Sequence, residues 1–356
     1  MDQCKRPRSP LRPPIVKDYR PYTGRQLVHR LPFVEDFKHN IHKSSWDLFY
    51  RNNTINGFKD RNYILREFVE LREAIMGSSS AEQAAISADV ELHSFSGATS
   101  LPHSCEKTNL KPFSWMEAGC GVGNAMLPIF KQFGHLSHWR LLLGFDISKV
   151  AIKLLNDKKA SLPRALQEKL HVFELNPCEQ RIAEGIFPSP SPSGDTNAHS
   201  STDFSNFLFN PIVNFVSMIF VLSSIPVSLH ATVLRRIAES MVRPGGIFFF
   251  RDYARSDLAE KRFQSRKQGA IDTLMEGRNY VDDKFSEKTE LSIFTRTNGT
   301  LSHFFSKEEL EKLFTSVGFS VIEIREVNRE VTNRKAALCL SRKFLQGRFR
   351  LEKIDI

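Results

Sequence analysis

The chain contains few cysteines and no long apolar segment. Its 356 residues include five scattered cysteines, with no Cys-x-x-Cys pair: Cys4, Cys105, Cys120, Cys178 and Cys339. This usage favours a reducing compartment, cytoplasmic or nuclear, and argues against structural zinc or another metal site. The most apolar run, residues 212–227, contains Asn214, three serines and Pro226, so no membrane span is expected. The basic N-terminus lacks an apolar core, which argues against a secretory signal.

Basic residues are in excess, and the excess lies at the two ends of the chain. The formal net charge is +10 and the pI is about 9.4. Residues 1–30 hold eight Lys and Arg against two acids, and residues 325–356 hold nine against four. A near-neutral body with basic ends favours a polyanionic partner such as RNA or DNA. The alternative is that the basic ends only aid solubility.

Composition divides the chain into segments of different character. We predict the following organisation: a basic Pro/Arg-rich arm (1–43), a helical lid or nucleic-acid-binding segment (44–76), a linker or insertion (77–112), a main domain (113–345) with a flexible insertion (176–206) and an extra segment (268–291), and a basic tail (346–356). The two small-and-polar stretches at 77–109 and 176–205 have too little apolar content to form a core.

Strands and helices alternate through the main domain. Apolar runs predict strands at 114–118, 140–146, 170–175, 213–222 and 247–251, with helical patterns between them. This alternation predicts a doubly wound α/β sheet with parallel strands and right-handed crossovers. Ser306, with Glu309 three residues later, predicts a capped helix reaching Val317. Two further runs, 319–327 and 336–344, predict an antiparallel hairpin at the sheet edge.

A glycine-rich loop joins the first strand of the main domain to the helix that follows. Gly119, Gly121 and Gly123 alternate there, between Glu117 and Asn124. Glycines in this strand–loop–helix context allow a ligand to approach the backbone closely. Asp146 ends the next strand, where a carboxylate can accept hydrogen bonds from both hydroxyls of a ribose. Loop and acid together predict a nucleoside site.

The spacing of the loop and the acid before it indicate which nucleoside is bound. The glycines follow G-x-G-x-G and not the G-x-G-x-x-G of dinucleotide sites, and Glu117 would repel a pyrophosphate. An acid tolerates a cationic ligand that carries an amino group and a sulfonium. The stretch from Glu117 to Gly123 resembles the first motif of class I, Rossmann-like S-adenosylmethionine-dependent methyltransferases. Residues 242–246, Val-Arg-Pro-Gly-Gly, resemble that superfamily's late turn.

Six further motifs resemble the eukaryotic tRNA N3-methylcytidine methyltransferases. In chain order they are Ser45–Tyr50, Phe58–Arg61 with Arg66–Phe68, Ile219–Ile225, Phe250–Tyr253, Asn298–Thr300 with Phe304–Ser306, and Asn333–Lys335 with Phe344–Gln346. The resemblance covers residues 44–349 without the two polar insertions. It implies S-adenosyl-L-methionine as cofactor and methylation of cytidine 32 in the tRNA anticodon loop. The C-terminal motif is most similar to the serine-tRNA branch, which implies seryl-tRNA synthetase as a partner.

The resemblance, together with the pattern above, assigns residues to the cofactor and to the tRNA. The expected cofactor-binding residues are Trp46, Tyr50, Glu117, Gly119, Gly121, Gly123, Asn124, Asp146, Ile147, Glu174, Leu175 and Ile219. The expected tRNA-binding residues are Lys59, Asp60, Arg61, Arg296, Arg334 and Lys335. Glu174 stands where many relatives carry Asp for the adenine amino group, and Ala254 stands where the family has Gly.

The chemistry of the methylated base suggests the catalytic residues. Cytidine N3 carries a lone pair at neutral pH, so no proton must be removed, but the base must leave its stack and becomes cationic. Arg251, Asp252 and Tyr253 end the fifth strand, where open α/β sheets bind ligands. Asp252 would stabilise the developing charge, Tyr253 would stack on the base, and Arg251 would engage phosphate or the cytosine carbonyl. An internal ion pair and a packed aromatic side chain are the structural alternative.

Two other functions remain open at this point. One is a class I methyltransferase that acts on a protein or a small molecule, against which the basic ends argue. The other is a non-catalytic RNA-binding adaptor that keeps the fold, against which the intact glycines and Asp146 argue.

Overall fold

The computed structural model describes residues 41–77, 110–186, 213–267, 292–296, 299–333 and 338–352. The predicted arm lies almost wholly outside these residues, as do the segment 268–291 and most of the linker 77–112. The described strands are β1 (Phe113–Ala118), β2 (Trp139–Asp146), β3 (Leu170–Glu174), β4 (Phe215–Ile219), β5 (Ile247–Tyr253), β6 (Ser292–Thr295), β7 (Leu301–Phe304), β8 (Phe319–Asn333) and β9 (Leu338–Leu351). The described α-helices are α1 (Ile41–Asn53), α2 (Ile64–Glu67), α3 (Val69–Met76), α4 (Met126–Phe133), α5 (Lys149–Ala160), α6 (Arg164–Lys169), α7 (Ile182–Ile186), α8 (His230–Ala238), α9 (Leu258–Lys267) and α10 (Lys307–Thr315).

Seven strands form one sheet in the order β3-β2-β1-β4-β5-β9-β8. The first five are parallel, whereas β9 runs antiparallel to both β5 and β8. The predicted doubly wound sheet with a C-terminal hairpin at its edge is therefore confirmed. Because β1, β2, β4 and β5 are parallel, their carboxyl ends meet at one edge of the sheet, where such folds bind ligands.

Both faces of the sheet are covered, and β5 shows how the sequence achieves this. Its three central phenylalanines alternate between the faces, as strand geometry requires. Phe248 and Phe250 belong to the core under α8 and α10, whereas Phe249 belongs to the core under α2, α3 and α4. Strands buried on both faces appear in the sequence as continuous apolar runs, which is why β1, β2, β4 and β5 were predictable.

The N-terminal helices are part of this core. The side chains of Ile64, Phe68, Leu71 and Ile75, spaced three or four apart, are almost fully buried against the sheet. The ring of Phe68 stacks on that of Phe249 with centroids 4.7 Å apart. Glu67 and Glu70 on the same segment pair with arginines of the C-terminal hairpin. The segment 64–76 thereby closes one face of the sheet.

Several predicted boundaries were wrong. The strand predicted at 213–222 ends at Ile219, because Phe220 adopts a positive φ of 60° and a 3-10 turn begins at Leu222. The tail predicted at 346–356 is mostly strand, since β9 continues to Leu351. The first part of the insertion predicted at 176–206 is ordered and includes α7.

Some elements of the structure were not predicted from the sequence, and one predicted helix cap is confirmed. Strands β6 and β7, which form a separate antiparallel pair, and helices α6 and α9 were not predicted. The capping box of Ser306 and Glu309 is confirmed at the start of α10. In the described part of the chain, no helix is long and apolar enough to cross a membrane, and no cluster of three or more metal-ligating side chains exists.

Candidate functional site

A cavity of about 460 Å³ opens at the carboxyl edge of the parallel strands. Its floor is formed by the ends of β1, β2 and β4 with the loops that follow, and α1 covers one side. Of the predicted residues it is lined by Trp46, Tyr50, Arg61, Glu117, Gly119, Gly121, Asn124, Asp146, Ile147, Ile219, Tyr253 and Arg296. The volume lies in the range of small-molecule sites. The structure thus brings most of the predicted cofactor residues together.

The glycine loop has a backbone that only glycine adopts easily. Gly119 and Gly121 have φ values of +68° and +52°, in the left-handed region. A Cβ at Gly121 would lie 2.3 Å from the hydroxyl of Tyr50, so glycine also allows α1 to approach the loop. Gly123, with φ +82°, does not line the cavity; a Cβ there would meet Leu127 and Leu155. Its role is to turn the chain into α4.

Glu117 is a buried acid with an unused oxygen. It lines the cavity at the end of β1, and its Oε2 has no hydrogen-bond partner among the described residues. Burial raises the pKa of its carboxyl group to about 8, although Arg61 and a hydrogen bond with the Met126 backbone oppose the shift. A buried carboxyl oxygen without a partner is costly unless a ligand supplies a donor or a cation. The site therefore fits a ligand carrying an amino group or another positive charge.

Asp146 is fixed by the two loops beside it. Its Oδ2 accepts the backbone N–H of Gly121 at 2.8 Å, and its Oδ1 accepts that of Ser148 at 2.8 Å. Burial raises the pKa of this carboxyl group to about 6 against these hydrogen bonds. Each carboxylate oxygen retains a second lone pair, and the residue lines the cavity. Asp146 can therefore accept hydrogen bonds from the hydroxyls of a ribose.

Helix α1 covers the end of the cavity that Glu117 and Asp146 line. Trp46, Phe49 and Tyr50, on one side of this helix, line the cavity. Between them Asp47 accepts a 2.6 Å hydrogen bond from the Ser148 hydroxyl and a 3.2 Å bond from the Val150 N–H. Asp47 thus caps the N-terminus of α5 from another element, which fixes α1 over the cavity.

Aromatic rings and arginines form the other end of the cavity. The guanidinium groups of Arg296 and Arg342 lie 5.4 Å and 5.6 Å from the centre of the Tyr253 ring. The ring of Phe220 lies 5.2 Å from Tyr253, and Arg61 lies 5.0 Å above Phe220. We call these five residues the cavity mouth. Flat rings between arginines can stack on a base and bind the adjoining phosphates.

A buried carboxylate holds Arg342 at the cavity mouth. Asp257 is fully buried, and its two oxygens accept hydrogen bonds from Arg342 Nε at 3.1 Å and 3.0 Å. It also accepts the backbone N–H groups of Lys343 and Ala259. No hydrogen bond among the described residues uses the Nη groups of Arg342. These groups can therefore serve a ligand at the mouth.

Two of the three expected catalytic residues lie beneath the cavity and do not line it. Arg251 is 2% exposed, lies 4.2 Å above the Tyr63 ring, and donates a hydrogen bond to Gln346. Asp252 is fully buried and accepts the backbone N–H of Ser223 at 2.9 Å. Burial raises the pKa of the Asp252 carboxyl group to about 6. The contacts that the structure shows for Arg251 and Asp252 are internal ones, to Tyr63 and Gln346 and to the Ser223 backbone, and their expected contacts with the base stay a prediction.

The remaining predicted residues that the structure describes lie outside the cavity lining. Glu174 pairs with Lys43 of α1 and is partly exposed, and Leu175 is buried in the core. The side chain of Glu174 is thus engaged by Lys43 outside the cavity lining, and its adenine contact stays a prediction. Lys59 and Asp60 are exposed on the loop beside the cavity mouth. Arg334 and Lys335 lie outside the described residues.

The site also contains residues that sequence reasoning did not single out, among them Asp47, Asn176, Phe220 and Arg342. Asp47 and Phe220 stood inside motifs that were noticed, but nothing in the sequence showed which way their side chains point. Asn176 follows the end of β3 by two residues, a position that could have marked it. Arg342 lies within the predicted strand 336–344, but nothing in the sequence showed that this position of the hairpin reaches the cavity mouth.

The chain is similar in sequence to known proteins. A protein-family model described as a methyltransferase domain matches residues 91–324. The tRNA N(3)-cytidine methyltransferase METTL6 of Rattus norvegicus is 28% identical over 309 residues, covering 86% of this chain and 79% of the relative. The tRNA(Thr) (cytosine(32)-N(3))-methyltransferase of Saccharomyces cerevisiae is 25% identical, covering 91% and 39%. A solved SAM-dependent methyltransferase from Anabaena variabilis ATCC 29413 has a TM-score of 0.47 at 10% identity, covering 87% and 95%.

Proposed function

The chain belongs to the methyltransferase domain family, and on this basis we propose that it methylates N3 of cytidine in tRNA with S-adenosyl-L-methionine as cofactor. One observation carries the proposal: a single cavity has acids and a glycine loop at one end and arginines with aromatic rings at the other. The first end suits a cationic nucleoside, and the second suits a nucleotide of RNA. The names of the relatives support tRNA cytidine as the substrate and position 32 as the site.

The cofactor end is assigned by chemistry. Glu117 would accept the amino group of the cofactor with its unused oxygen, and Asp146 would accept the ribose hydroxyls. Trp46 and Tyr50 would cover the ligand from α1, and an aromatic ring near a positive charge is favourable. Bound there, S-adenosylmethionine supplies a methyl group on a positively charged sulfur. Glu117, Asp146 and the aromatic rings of α1 would stabilise that charge.

The cavity mouth is assigned to the target nucleotide. Cytidine in an anticodon loop can leave its stack at moderate cost, since it is not in a regular duplex. Tyr253, between Arg296 and Arg342, would stack on the extruded base, while the arginines would bind the phosphates beside it. Because N3 carries its own lone pair, the residues need only hold the base in line with the methyl group.

Arg251 and Asp252 serve this site by positioning. Asp252 holds the Ser223 backbone in the turn that follows β4, next to the cavity-lining Ser224. Its negative charge would also favour the cationic product base through the field that it adds beneath Tyr253. Arg251 supports Tyr63 and Phe344 from below, which fixes the wall of the cavity mouth.

Selection of the tRNA is assigned to basic residues around the mouth and at the chain ends. Lys59, Asp60 and Arg61 form one group beside the mouth, and Arg334 and Lys335 are expected to form a second. Serine tRNA as substrate, with seryl-tRNA synthetase as partner, is proposed from the C-terminal resemblance. The scattered cysteines support a cytoplasmic or nuclear site of action.

The proposal is tested by methyl transfer to total tRNA. Labelled S-adenosylmethionine is incubated with the full chain and tRNA, with and without seryl-tRNA synthetase, and the nucleosides are analysed by mass spectrometry. We expect N3-methylcytidine, and a larger yield with the synthetase. Asp146→Ala should abolish the product, with Asp157→Ala, an exposed acid on α5, as the matched control. Cofactor binding without N3-methylcytidine would favour the adaptor or another substrate and contradict the proposal.

A further inference from the structure

Asn176 is a buried polar residue of the cavity that the assignments above do not use. It lies two residues beyond the end of β3 and is 6% exposed. It lines the same cavity as Asp146 and Ile147, which follow the neighbouring strand β2. The crevice beyond these two strand ends is where open α/β folds hold the nucleoside part of a ligand. Asn176 is therefore placed beside the nucleoside end of the cavity.

The local structure uses three of the polar groups of Asn176 and leaves one unused. Its backbone N–H donates to Gln180 Oε1 at 3.0 Å, and its carbonyl accepts the N–H groups of Glu179 and Gln180. Its side-chain Oδ1 accepts the Cys178 N–H at 3.1 Å, which fixes the orientation of the amide. The Nδ2 group is buried and has no hydrogen-bond partner among the described residues.

A buried amide that donates no hydrogen bond is costly, so a ligand acceptor is expected at this point. The turn provides a hydrogen-bond partner for Oδ1 but none for Nδ2. Adenine offers acceptors of the right kind in its ring nitrogens N1, N3 and N7, whereas its exocyclic amino group is a donor. Glu174, the residue expected to receive that amino group, is engaged by Lys43 outside the cavity lining.

We infer that Asn176 donates a hydrogen bond from Nδ2 to a ring nitrogen of the cofactor's adenine. This rests on the proposed function insofar as S-adenosylmethionine is the cofactor. The adenine is then recognised by an amide donor at a ring nitrogen, and not by a carboxylate at the amino group. A carboxylate at position 174 becomes available to fasten α1 through Lys43.

Binding of modified cofactor products tests the inference without activity. Calorimetry would compare S-adenosylhomocysteine with its 1-deaza, 3-deaza and 7-deaza analogues, each of which replaces one ring nitrogen by carbon. We expect one analogue to bind the full chain about 10- to 100-fold more weakly than the parent, as loss of a partner for a buried polar group predicts. The other two analogues should bind within about threefold of the parent.

The variant Asn176→Asp separates recognition from folding. An aspartate keeps the acceptor for the Cys178 N–H but replaces the Nδ2 donor by an oxygen, so the turn is retained. We expect weaker binding of the parent ligand and loss of discrimination against the sensitive analogue. Glu174→Gln tests the alternative that Glu174 recognises the adenine. This variant should still bind the sensitive analogue more weakly than the parent ligand. Thermal unfolding of both variants checks that they fold.

The outcomes separate this inference from the proposed function. Equal binding of all three analogues to the wild-type chain would overturn it, even if Asn176→Asp does not fold. Discrimination that survives in Asn176→Asp, or is lost in Glu174→Gln, would also overturn it. If S-adenosylhomocysteine did not bind at all, the assignment of the cofactor would be wrong, and both proposals would be contradicted. Binding with discrimination but no tRNA methylation would support Asn176 and contradict only the substrate.

Discussion

Among single residues, Glu117 has the greatest influence on how the site responds to pH. Burial raises the pKa of its carboxyl group from an ordinary value of 4.5 to about 8. Near pH 7 the ligand-free protein therefore holds a proton there that the unfolded chain does not. Since the folded state binds more protons between these two pKa values, this residue makes the ligand-free fold less stable as pH rises through that range.

Affinity for the cofactor should change in the opposite direction. A cationic amino group binds ionised Glu117, so binding should release a proton below pH 8. We predict that the affinity for S-adenosylhomocysteine rises with pH between about 6.5 and 8, by at most about tenfold per unit, and levels off above. Calorimetry at constant ionic strength measures this. Glu117→Gln, which keeps the shape but does not titrate, should give a flat profile; an unchanged slope would refute the assignment.

Arg342 allows a comparison between two arginines of the same strand. Arg342 lines the cavity mouth, whereas Arg348 pairs with Glu70 and Glu323 and does not line the cavity. We predict that Arg342→Ala raises the KM for tRNA about tenfold or more, since one charge-assisted phosphate contact contributes roughly 1.5–3 kcal/mol. The dependence of tRNA binding on salt should also become less steep, by a slope of about 1.

The control for this comparison is Arg348→Ala. It should lower the melting temperature while leaving the KM for tRNA and the salt slope as in the wild type. Binding of S-adenosylhomocysteine should be retained in both variants. Equal effects of the two substitutions on KM would mean that Arg342 acts through stability and not through contact with the substrate.

At the scale of elements, α1 and α5 are joined by a cap that crosses between them. We predict that Asp47→Ala lowers the free energy of unfolding by about 1 kcal/mol, the usual cost of a lost N-terminal cap. It should also weaken binding of S-adenosylhomocysteine and speed amide hydrogen exchange across residues 44–53. Asp47→Asn, which keeps an acceptor oxygen, should recover most of both properties.

Leu48→Ala provides the matched control for this substitution. Leu48 lies on the same helix with 53% of its surface exposed. Its replacement should change stability by no more than about 0.5 kcal/mol, as is usual for surface positions. If hydrogen exchange in α1 were the same in Asp47→Ala as in the wild type, Asp47 would not be what fixes the helix.

The elements that were predictable from sequence are those whose apolar pattern is uninterrupted. β1, β2, β4 and β5 are largely buried on both faces, so each appears in the sequence as a nearly continuous apolar run. The second half of β8 is different: from Asn328 onward it consists mainly of polar and charged residues, and it is a strand only because β9 pairs with it. The strand predicted from the apolar pattern therefore ended at Val327, where the buried part of β8 ends.

The parts of the candidate site that are formed by a local backbone pattern could be predicted from the sequence. The parts that depend on the direction of a side chain could not. The glycine loop and Asp146 belong to a local strand–loop–helix pattern, so their positions follow from the sequence. Arg251, Asp252 and Tyr253 are consecutive, yet only Tyr253 lines the cavity. Which of three neighbours points to the ligand depends on the packing of α2 and β9 against β5, which no local pattern records.

At the scale of the whole molecule, the uneven distribution of basic residues along the chain leads to a separate prediction. Residues 1–30 carry eight basic residues and two acids. We predict that removing them weakens tRNA binding and flattens its dependence on salt, because fewer counterions are released on binding. Filter binding of tRNA at several salt concentrations measures both quantities. Affinity for S-adenosylhomocysteine should not change; an unchanged salt slope would mean that this arm does not contact phosphate.

The contacts of the N-terminal helices limit which segments could be exchanged between this protein and a relative. Asp47 caps a helix of the main domain, Phe68 stacks on its central sheet, and Glu67 and Glu70 pair with its last strands. Residues 41–76 are thus not an appended module. A chimera that took this segment from a relative to change tRNA preference would also replace part of the cofactor cavity, so specificity and cofactor affinity would be inherited together.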